Sequence, residues 1–360
     1  MKKRVLSFLT AAVMTTAMIL SGCSGSQTAT TTAAPASAET KAETTAAAKT
    51  EAATTTAAPA EKKEIVVGFS QVGAESDWRT ANTESMKSTF TEANGYKLIF
   101  DDAQQKQENQ LKAVRNFIQQ DVDYIVIAPV TETGWDTVLQ EAKDAGIPVI
   151  IVDRMINVSD DSLYTAWVGS NFLQEGYDAV AWLDEYLKKN NRADDDINIV
   201  TLQGTIGSSA QIGRTNGVEE KMKDHPKWKM LERQTGEFTQ AKGQEVMESF
   251  LKTYDDIDVV IAENDNMAFG AIDAIKAAGK TCGPKGDITI ISFDAVAAAF
   301  DAMIAGDMNV SVECNPLHGP RVAEIIQKLE KGEKVDKIAY VKEGVFPADT
   351  AEAEKPKRQY

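Results

Sequence analysis

Gly146-Ile-Pro-Val-Ile-Ile-Val-Asp-Arg154 is an apolar run that opens on a turn and stops on an acid followed by a base. Four consecutive aliphatic residues, Val149 through Val152, read as a strand buried on both faces, the kind found in parallel sheets covered by helices. In such sheets ligands bind outside the carboxyl ends of the strands. Asp153 supplies fixed acceptors there and Arg154 a five-donor fork, a combination suited to a ligand rich in hydroxyls. The competing reading is a plain ion pair at a strand end, and the rest of the chain decides between the two.

Toward the amino terminus, strands over 64–70, 96–101 and 124–128 alternate with helices over 79–94, 107–120 and 133–145. The helix over 107–120 carries Leu111, Val114, Phe117 and Ile118 at helical spacing. Near Val168 the beat begins again. Helices over 176–189, 209–223, 239–254, 267–278, 295–305 and 319–329 alternate with strands over 197–203, 230–234, 259–262, 288–293 and 309–313. Repeating strand–helix units predict an α/β chain of two doubly wound parallel-sheet lobes facing each other across a cleft.

The chain starts on Met1-Lys-Lys-Arg4 and continues through a short apolar segment to Leu20. That is the layout of a secretory signal peptide, too short for a stable membrane span. It closes on Leu20-Ser-Gly-Cys23, which resembles the bacterial lipoprotein cleavage motif and implies removal of 1–22 and lipidation of Cys23. Each buried lipid methylene contributes about 0.8 kcal/mol, so an acylated Cys23 holds the chain on a membrane. Residues 23–63 are dominated by Ala, Thr, Glu, Lys, Ser and Pro and, past Cys23, lack any aliphatic side chain larger than Ala. They are expected to form a disordered tether with a reach of about 35 Å. The folded body is then expected at the outer face of the bacterial cytoplasmic membrane, in the periplasm where an outer membrane exists.

With 38 basic and 54 acidic residues and a net charge of -16, the chain is a poor match for nucleic acid or anionic lipid. Cys282 and Cys314 lack CxxC spacing and give neither a zinc site nor a disulfide framework, with a single bridge between them left open. His225 reads as part of a solvated turn and His318 as a helix-start residue, and no GxSxG, HExxH, Walker or GxGxxG motif occurs. We therefore expect no enzyme activity, no cofactor and no metal.

Polar residues instead collect just past the expected strands. They are Ser70-Gln-Val-Gly-Ala-Glu-Ser-Asp-Trp-Arg79, Pro129-Val-Thr-Glu-Thr-Gly-Trp135, Asp153-Arg154, Glu263-Asn-Asp265 and Asp294. Each has a reading as a helix cap. Together they describe a polyol site, with planar charged groups taking hydroxyl pairs and an aromatic face packing on sugar C–H bonds.

These patches, with Gln104-Gln-Lys-Gln-Glu-Asn-Gln110, Leu202-Gln-Gly-Thr205, Gly236-Glu-Phe238 and Gly243-Gln-Glu-Val-Met-Glu-Ser-Phe250, resemble in order the sugar-binding proteins of bacterial ABC transporters. The likeness is to the ribose and galactose class, periplasmic binding protein type I, and within it to the galactofuranose binders. It implies two lobes, 64–168 plus 316–341 and 169–315 plus 342–360, joined by a three-crossing hinge. It further implies that Asp153 and Arg154 bind ring hydroxyls from the first lobe, and that Arg214, Asn264 and Asp294 reach from the second. Phe238 stacks on the sugar, Ser76, Trp78 and Arg79 occupy the first-lobe loop, and Glu313 stands where the family often carries Gln. Ala128, where ribose binders carry Asn, speaks against ribose. The partners implied are a monosaccharide, galactofuranose or a related sugar, and an ABC permease, with the chain a monomer. The alternative is a sugar sensor that presents its closed form to a membrane sensor kinase or chemoreceptor. A sugar-responsive repressor of the same fold would carry a helix-turn-helix where the leader and tether stand.

Overall fold

A computed structural model describes residues 64–360; the expected leader, Cys23 and tether lie outside the described residues. The short aliphatic runs form strands buried on both faces and the amphipathic segments form helices that cover them. β1 (Ile65–Gln71), β2 (Tyr96–Asp102), β3 (Tyr124–Ile127), β4 (Val149–Val152) and β5 (Ala166–Gly169) make one sheet in the order β2-β1-β3-β4-β5. All its pairings are parallel. α1 (Asp77–Thr89), α2 (Gln107–Gln119) and α3 (Asp136–Asp144) connect its strands.

The second sheet is built from β6 (Ile197–Gln203), β7 (Trp228–Thr235), β8 (Val259–Ala262), β9 (Thr289–Asp294) and β10 (Val310–Glu313). Its order, β7-β6-β8-β9-β10, repeats that of the first, again in parallel. α4 (Phe172–Lys189), α5 (Ser209–Met222), α6 (Gln240–Thr253), α7 (Asp265–Ala277) and α8 (Ala297–Ala305) flank it. α9 (Gly319–Glu330) returns to the first lobe, where the Gly319 N–H donates to Ser85 Oγ of α1 at 3.0 Å. β11 (Ile338–Tyr340) then joins β5, and β12 (Val345–Pro347) pairs antiparallel with β10 ahead of α10 (Ala351–Glu354). The chain thus passes between the sheets three times, after β5, after β10 and after β11.

Three strands were not legible in the sequence. β5 belongs to the first sheet and runs through Gly169, one residue past the expected boundary at 168, and the stretch between β4 and β5 holds only a single 3-10 turn, Asp161–Leu163. β11 and β12 span only three residues each at the sheet edges, Ile338-Ala-Tyr340 and Val345-Phe-Pro347, too short a stretch to announce a strand. The helix expected to begin at 176 begins at Phe172, because Asn171 caps it by accepting the Gln174 N–H at 3.1 Å. Cys282 and Cys314 are both buried and unbridged, which closes the option left open above.

The two halves of each lobe's core follow from the same pattern: Phe69, Ile125, Ile127 and Ile150 are fully buried in the first, Phe250, Phe293 and Phe300 in the second. α4 and α5 approach unusually closely, because Gly217 offers no side chain where a Cβ would lie 2.4 Å from the Leu173 carbonyl oxygen. Gly217→Val should therefore force the helices apart and lower the unfolding free energy in urea by about 1–3 kcal/mol. Unchanged stability would show that this contact does not hold the pair together.

Candidate functional site

The equal topology of the two sheets has one geometric result: the carboxyl ends of β1, β3 and β4 meet those of β6, β8 and β9. A cavity with about 280 Å³ of space between protein atoms lies where they meet. Ser76, Trp78, Arg79, Asp153, Arg154, Arg214, Phe238, Asn264 and Asp294 all line it.

The first lobe contributes an interlocked set of charges. Arg79 places Nη2 2.8 Å from Asp153 Oδ2 and Nε 3.0 Å from Glu75 Oε1, and its Nη1 donates to Gln71 Oε1 at 3.2 Å. Arg154 sends Nη2 to within 3.6 Å of Glu75 Oε1 and donates through Nη1 to the Val130 carbonyl at 3.1 Å. Ser76 serves as the N-cap of α1, accepting the Arg79 N–H at 3.1 Å, so its hydroxyl oxygen already has a structural task. Trp78 lies under the Arg79 guanidinium at 4.6 Å and donates its indole N–H across the cleft to the Cys314 carbonyl at 2.6 Å.

In the second lobe the organiser is Arg214, fully enclosed on α5. Its Nε is 2.7 Å from Glu175 Oε2, its Nη2 3.3 Å from Asp294 Oδ1, and its Nη1 donates to the Glu263 carbonyl. Phe293 and Phe172 bracket the guanidinium at 4.9 and 5.4 Å. Asn264 caps α7 through Oδ1 and donates its amide to the Phe238 carbonyl at 3.0 Å. The Phe238 ring lies flat against Gly204, where any Cβ would run into it, and faces Arg154 of the other lobe at 5.0 Å. Asp265, two residues past Glu263, turns away from the cavity to bind the hydroxyls of Ser292 and Ser311.

Three lining residues sit on backbones that L-residues rarely adopt: Asp153 (φ 61°), Phe238 (φ 62°) and Asp294 (φ 108°). Such strain is held by the surrounding structure and collects at ligand clamps. The electrostatics are equally constrained. Burial opposes the charge on Arg79 and Arg214, but their carboxylate neighbours more than offset it, so both stay above the ordinary arginine value. Arg154, desolvated and crowded by Arg79, falls to about 10. Burial pushes Asp294 well above the carboxylate range in spite of Arg214, and raises Glu175 as well. These are charged groups held out of water with donors and acceptors aimed at one small space, which is what a neutral polyhydroxyl ligand would satisfy.

Glu313 requires a correction. It does not reach the cavity: its Oε1 takes Arg358 Nη1 at 2.9 Å and the Tyr360 hydroxyl at 2.8 Å, and its Oε2 takes the Gly344 N–H at 3.0 Å. Consecutive side chains along an extended backbone face opposite ways, so the residue that enters the cavity at this crossing is Cys314. Glu75, Phe172 and Ala210 also line it and were not singled out in the sequence. Glu75 lay inside a loop already marked, whereas Phe172 follows the unread strand β5. His225 stacks on Trp228 with ring centroids 3.9 Å apart, and His318 is buried beside Asn82, its pKa lowered to about 4 by desolvation. Neither lines the cavity.

Among the described residues one cluster brings donor atoms close enough for a metal: Glu175, Cys314 and Glu343 lie within 4.8 Å of one another. The fit is poor. A guanidinium already occupies Glu175, burial keeps the Cys314 thiol protonated, and the Ser170 hydroxyl and the Asn315 N–H both point at Glu343.

Comparison with known proteins supplies context for this geometry. Residues 67–334 match the family model described as a periplasmic binding protein domain. The galactofuranose-binding protein YtfQ of Escherichia coli (strain K12) is 44% identical over 299 residues, covering 82% of this chain and 92% of the relative. A solved structure from Mycobacterium smegmatis in complex with β-D-fucofuranose is 45% identical with a TM-score of 0.78, covering 82% of this chain and 95% of that one. The binding component of the arabinose ABC transporter from Shewanella sp. ANA-3, bound to α- and β-L-arabinofuranose, is 47% identical with a TM-score of 0.77 at the same coverage.

Glu175 tests the charge network itself. Its replacement by Ala leaves a fully buried guanidinium short of its 2.7 Å partner. Breaking a buried pair from one side typically lowers stability by about 3–5 kcal/mol, to be read from denaturant unfolding; a loss well under 1 kcal/mol would mean that Asp294 alone suffices for Arg214.

Proposed function

The chain belongs to the periplasmic binding protein domain family, whose members compared above are solute-binding proteins and not enzymes, and on that premise we propose that it captures a monosaccharide between its lobes and delivers it to an ABC permease. The ligand proposed is a sugar in its furanose form, galactofuranose or a related one. The observation that carries this reading is the pair of arginine–carboxylate clusters, Arg79–Asp153–Arg154 and Arg214–Asp294, which face one cavity from opposite sheets with Phe238 as its apolar wall. Guanidinium forks take vicinal hydroxyls in pairs while carboxylates accept from the same hydroxyls. The furanose sugars bound by two relatives, each at least 45% identical, support the ring form.

Capture follows from differential affinity. A sugar held by both clusters binds the closed arrangement and not the open one, so it shifts the population toward closure. In the structure the lobes already touch beside the cavity: the Met155 N–H donates to Ser209 Oγ at 2.7 Å and the Asp77 N–H to Asn266 Oδ1 at 3.0 Å. We take the moving bodies to divide as the two sheets do, with the first crossing placed after Gly169.

The proposal includes the membrane anchor at Cys23. No helix among the described residues is long and apolar enough to cross a membrane. Cys23→Ala should release the protein into the soluble fraction and abolish incorporation of labelled palmitate; unchanged labelling would remove the anchor from the reading.

For the sugar itself, thermal-shift screening with furanose-forming monosaccharides tests the class, since a ligand at 100 times its Kd stabilises by about 2.7 kcal/mol. Asp153→Ala removes the 2.8 Å partner of Arg79 Nη2 and should weaken the best sugar by about 2–5 kcal/mol in calorimetry. Unchanged affinity in that variant would displace the site.

A further inference from the structure

The three crossings meet at one side chain. Glu343, on the third crossing between β11 and β12, accepts from the Ser170 hydroxyl of the first crossing at 2.6 Å and from the Asn315 N–H of the second at 2.7 Å. Both bonds fall on the same oxygen, Oε1. Both donors taken alone favour the anion, but the Glu175 carboxyl and the Cys314 sulfur crowd within 4.8 Å of the group, and such close approach of two acids favours the protonated form of one of them.

Its surroundings favour that form. The titratable groups facing Glu343 are Glu175 from α4, Glu313 at the end of β10 and the Cys314 thiol, none of them a cation. Glu313 is already held by Arg358, and Arg214 lies beyond Glu175. Cys314 also touches Ser170, with 3.2 Å between sulfur and hydroxyl oxygen, and it lines the ligand cavity. Contacts therefore run without a break from the cavity through Cys314 and Ser170 to Glu343.

We propose that Glu343 is a positioning residue that carries a proton when the lobes are closed and loses it when they part, so that closure of this protein is coupled to proton uptake. The inference rests on the lobe motion described under the proposed function but not on the identity of the sugar. Closing gathers the three crossings around the carboxyl group and withdraws it partly from water, which disfavours its anion. In the closed form desolvation, followed by the charge of Glu175, lifts its pKa to about 8. Once opened to water the group returns toward the ordinary glutamate value, about 4.3. The acid's pKa is thus raised in the closed state, so the closing bias is full below the open-state value. It falls as pH rises through the interval and is gone above about 8.

The test needs no ligand. Small-angle scattering of the unliganded protein between about pH 5 and pH 9 should show the closed fraction falling toward about pH 8 and level beyond it. Glu343→Gln, which keeps the acceptor oxygen and cannot ionise, should stay compact across the whole range. Ser170→Ala keeps the acid but removes a donor that favours the anion, so the level region should begin at higher pH. Infrared spectra near neutral pH should show a protonated carboxyl band in the wild type that is lost in Glu343→Gln. Scattering profiles that coincide for wild type and Glu343→Gln, or the absence of that band, would overturn the proposal. Failure of every sugar to bind, with the pH step intact, would count against the functional reading and leave this one standing.

Discussion

Arg214 is the side chain on which the second half of the site depends. A guanidinium with almost no exposure is tolerable only if each of its faces is answered, and the groups that answer it come from three elements. Glu175 arrives from α4, the Glu263 carbonyl from the end of β8, Asp294 from the end of β9, and the ring of Phe293 from the same strand. Desolvating one charge inside a protein amounts to several kcal/mol unless partners are in place. That penalty fixes α4 against α5 and both against the sheet.

The first lobe solves the same problem with two arginines in place of one. Arg79 and Arg154 share Glu75 and Asp153, and burial together with the repulsion between the guanidiniums lowers Arg154. A site of this kind is stiff within each lobe and adjustable between them. Within a lobe the charged groups are tied to strand ends and helix caps. Between lobes the ties include Arg154 over Phe238, the Trp78 indole on the Cys314 carbonyl, the Glu132 N–H on the Gly207 carbonyl, and backbone N–H groups meeting side-chain oxygens. Strain at Asp153, Phe238 and Asp294 keeps their side chains aimed at the gap instead of into solvent.

Much of this is legible in the order of residues along the chain. The aliphatic runs at 149–152 and 259–262 have one stable setting, a strand covered on both faces, and the sheet they imply directs attention to the residues that follow them. Nine of the ten expected contact residues line the cavity, and position past a strand and side-chain chemistry mark most of them. The exception, Glu313, shows where such reading stops. Whether Glu313 or Cys314 faces the cavity depends on where β10 ends and which way the chain leaves it, and a shift of one residue reverses the face. The partners that claim Glu313, Arg358 and Tyr360, lie at the far end of the chain and mark themselves by nothing in composition or spacing.

The sequence by itself determined the periodicity, the doubling of an α/β unit, the acidic balance and the residue types past each strand, because all of these are properties of neighbours along the chain. The three-dimensional arrangement fixes which of those residues share a cavity, which carboxyl groups are pushed toward their neutral form, and that Ser170, Asn315 and Glu343 meet where the chain crosses between lobes. Those outcomes depend on desolvation and on distances between groups far apart in the chain, Trp78 and Cys314 by 236 residues and Ser170 and Glu343 by 173, and no local pattern encodes them.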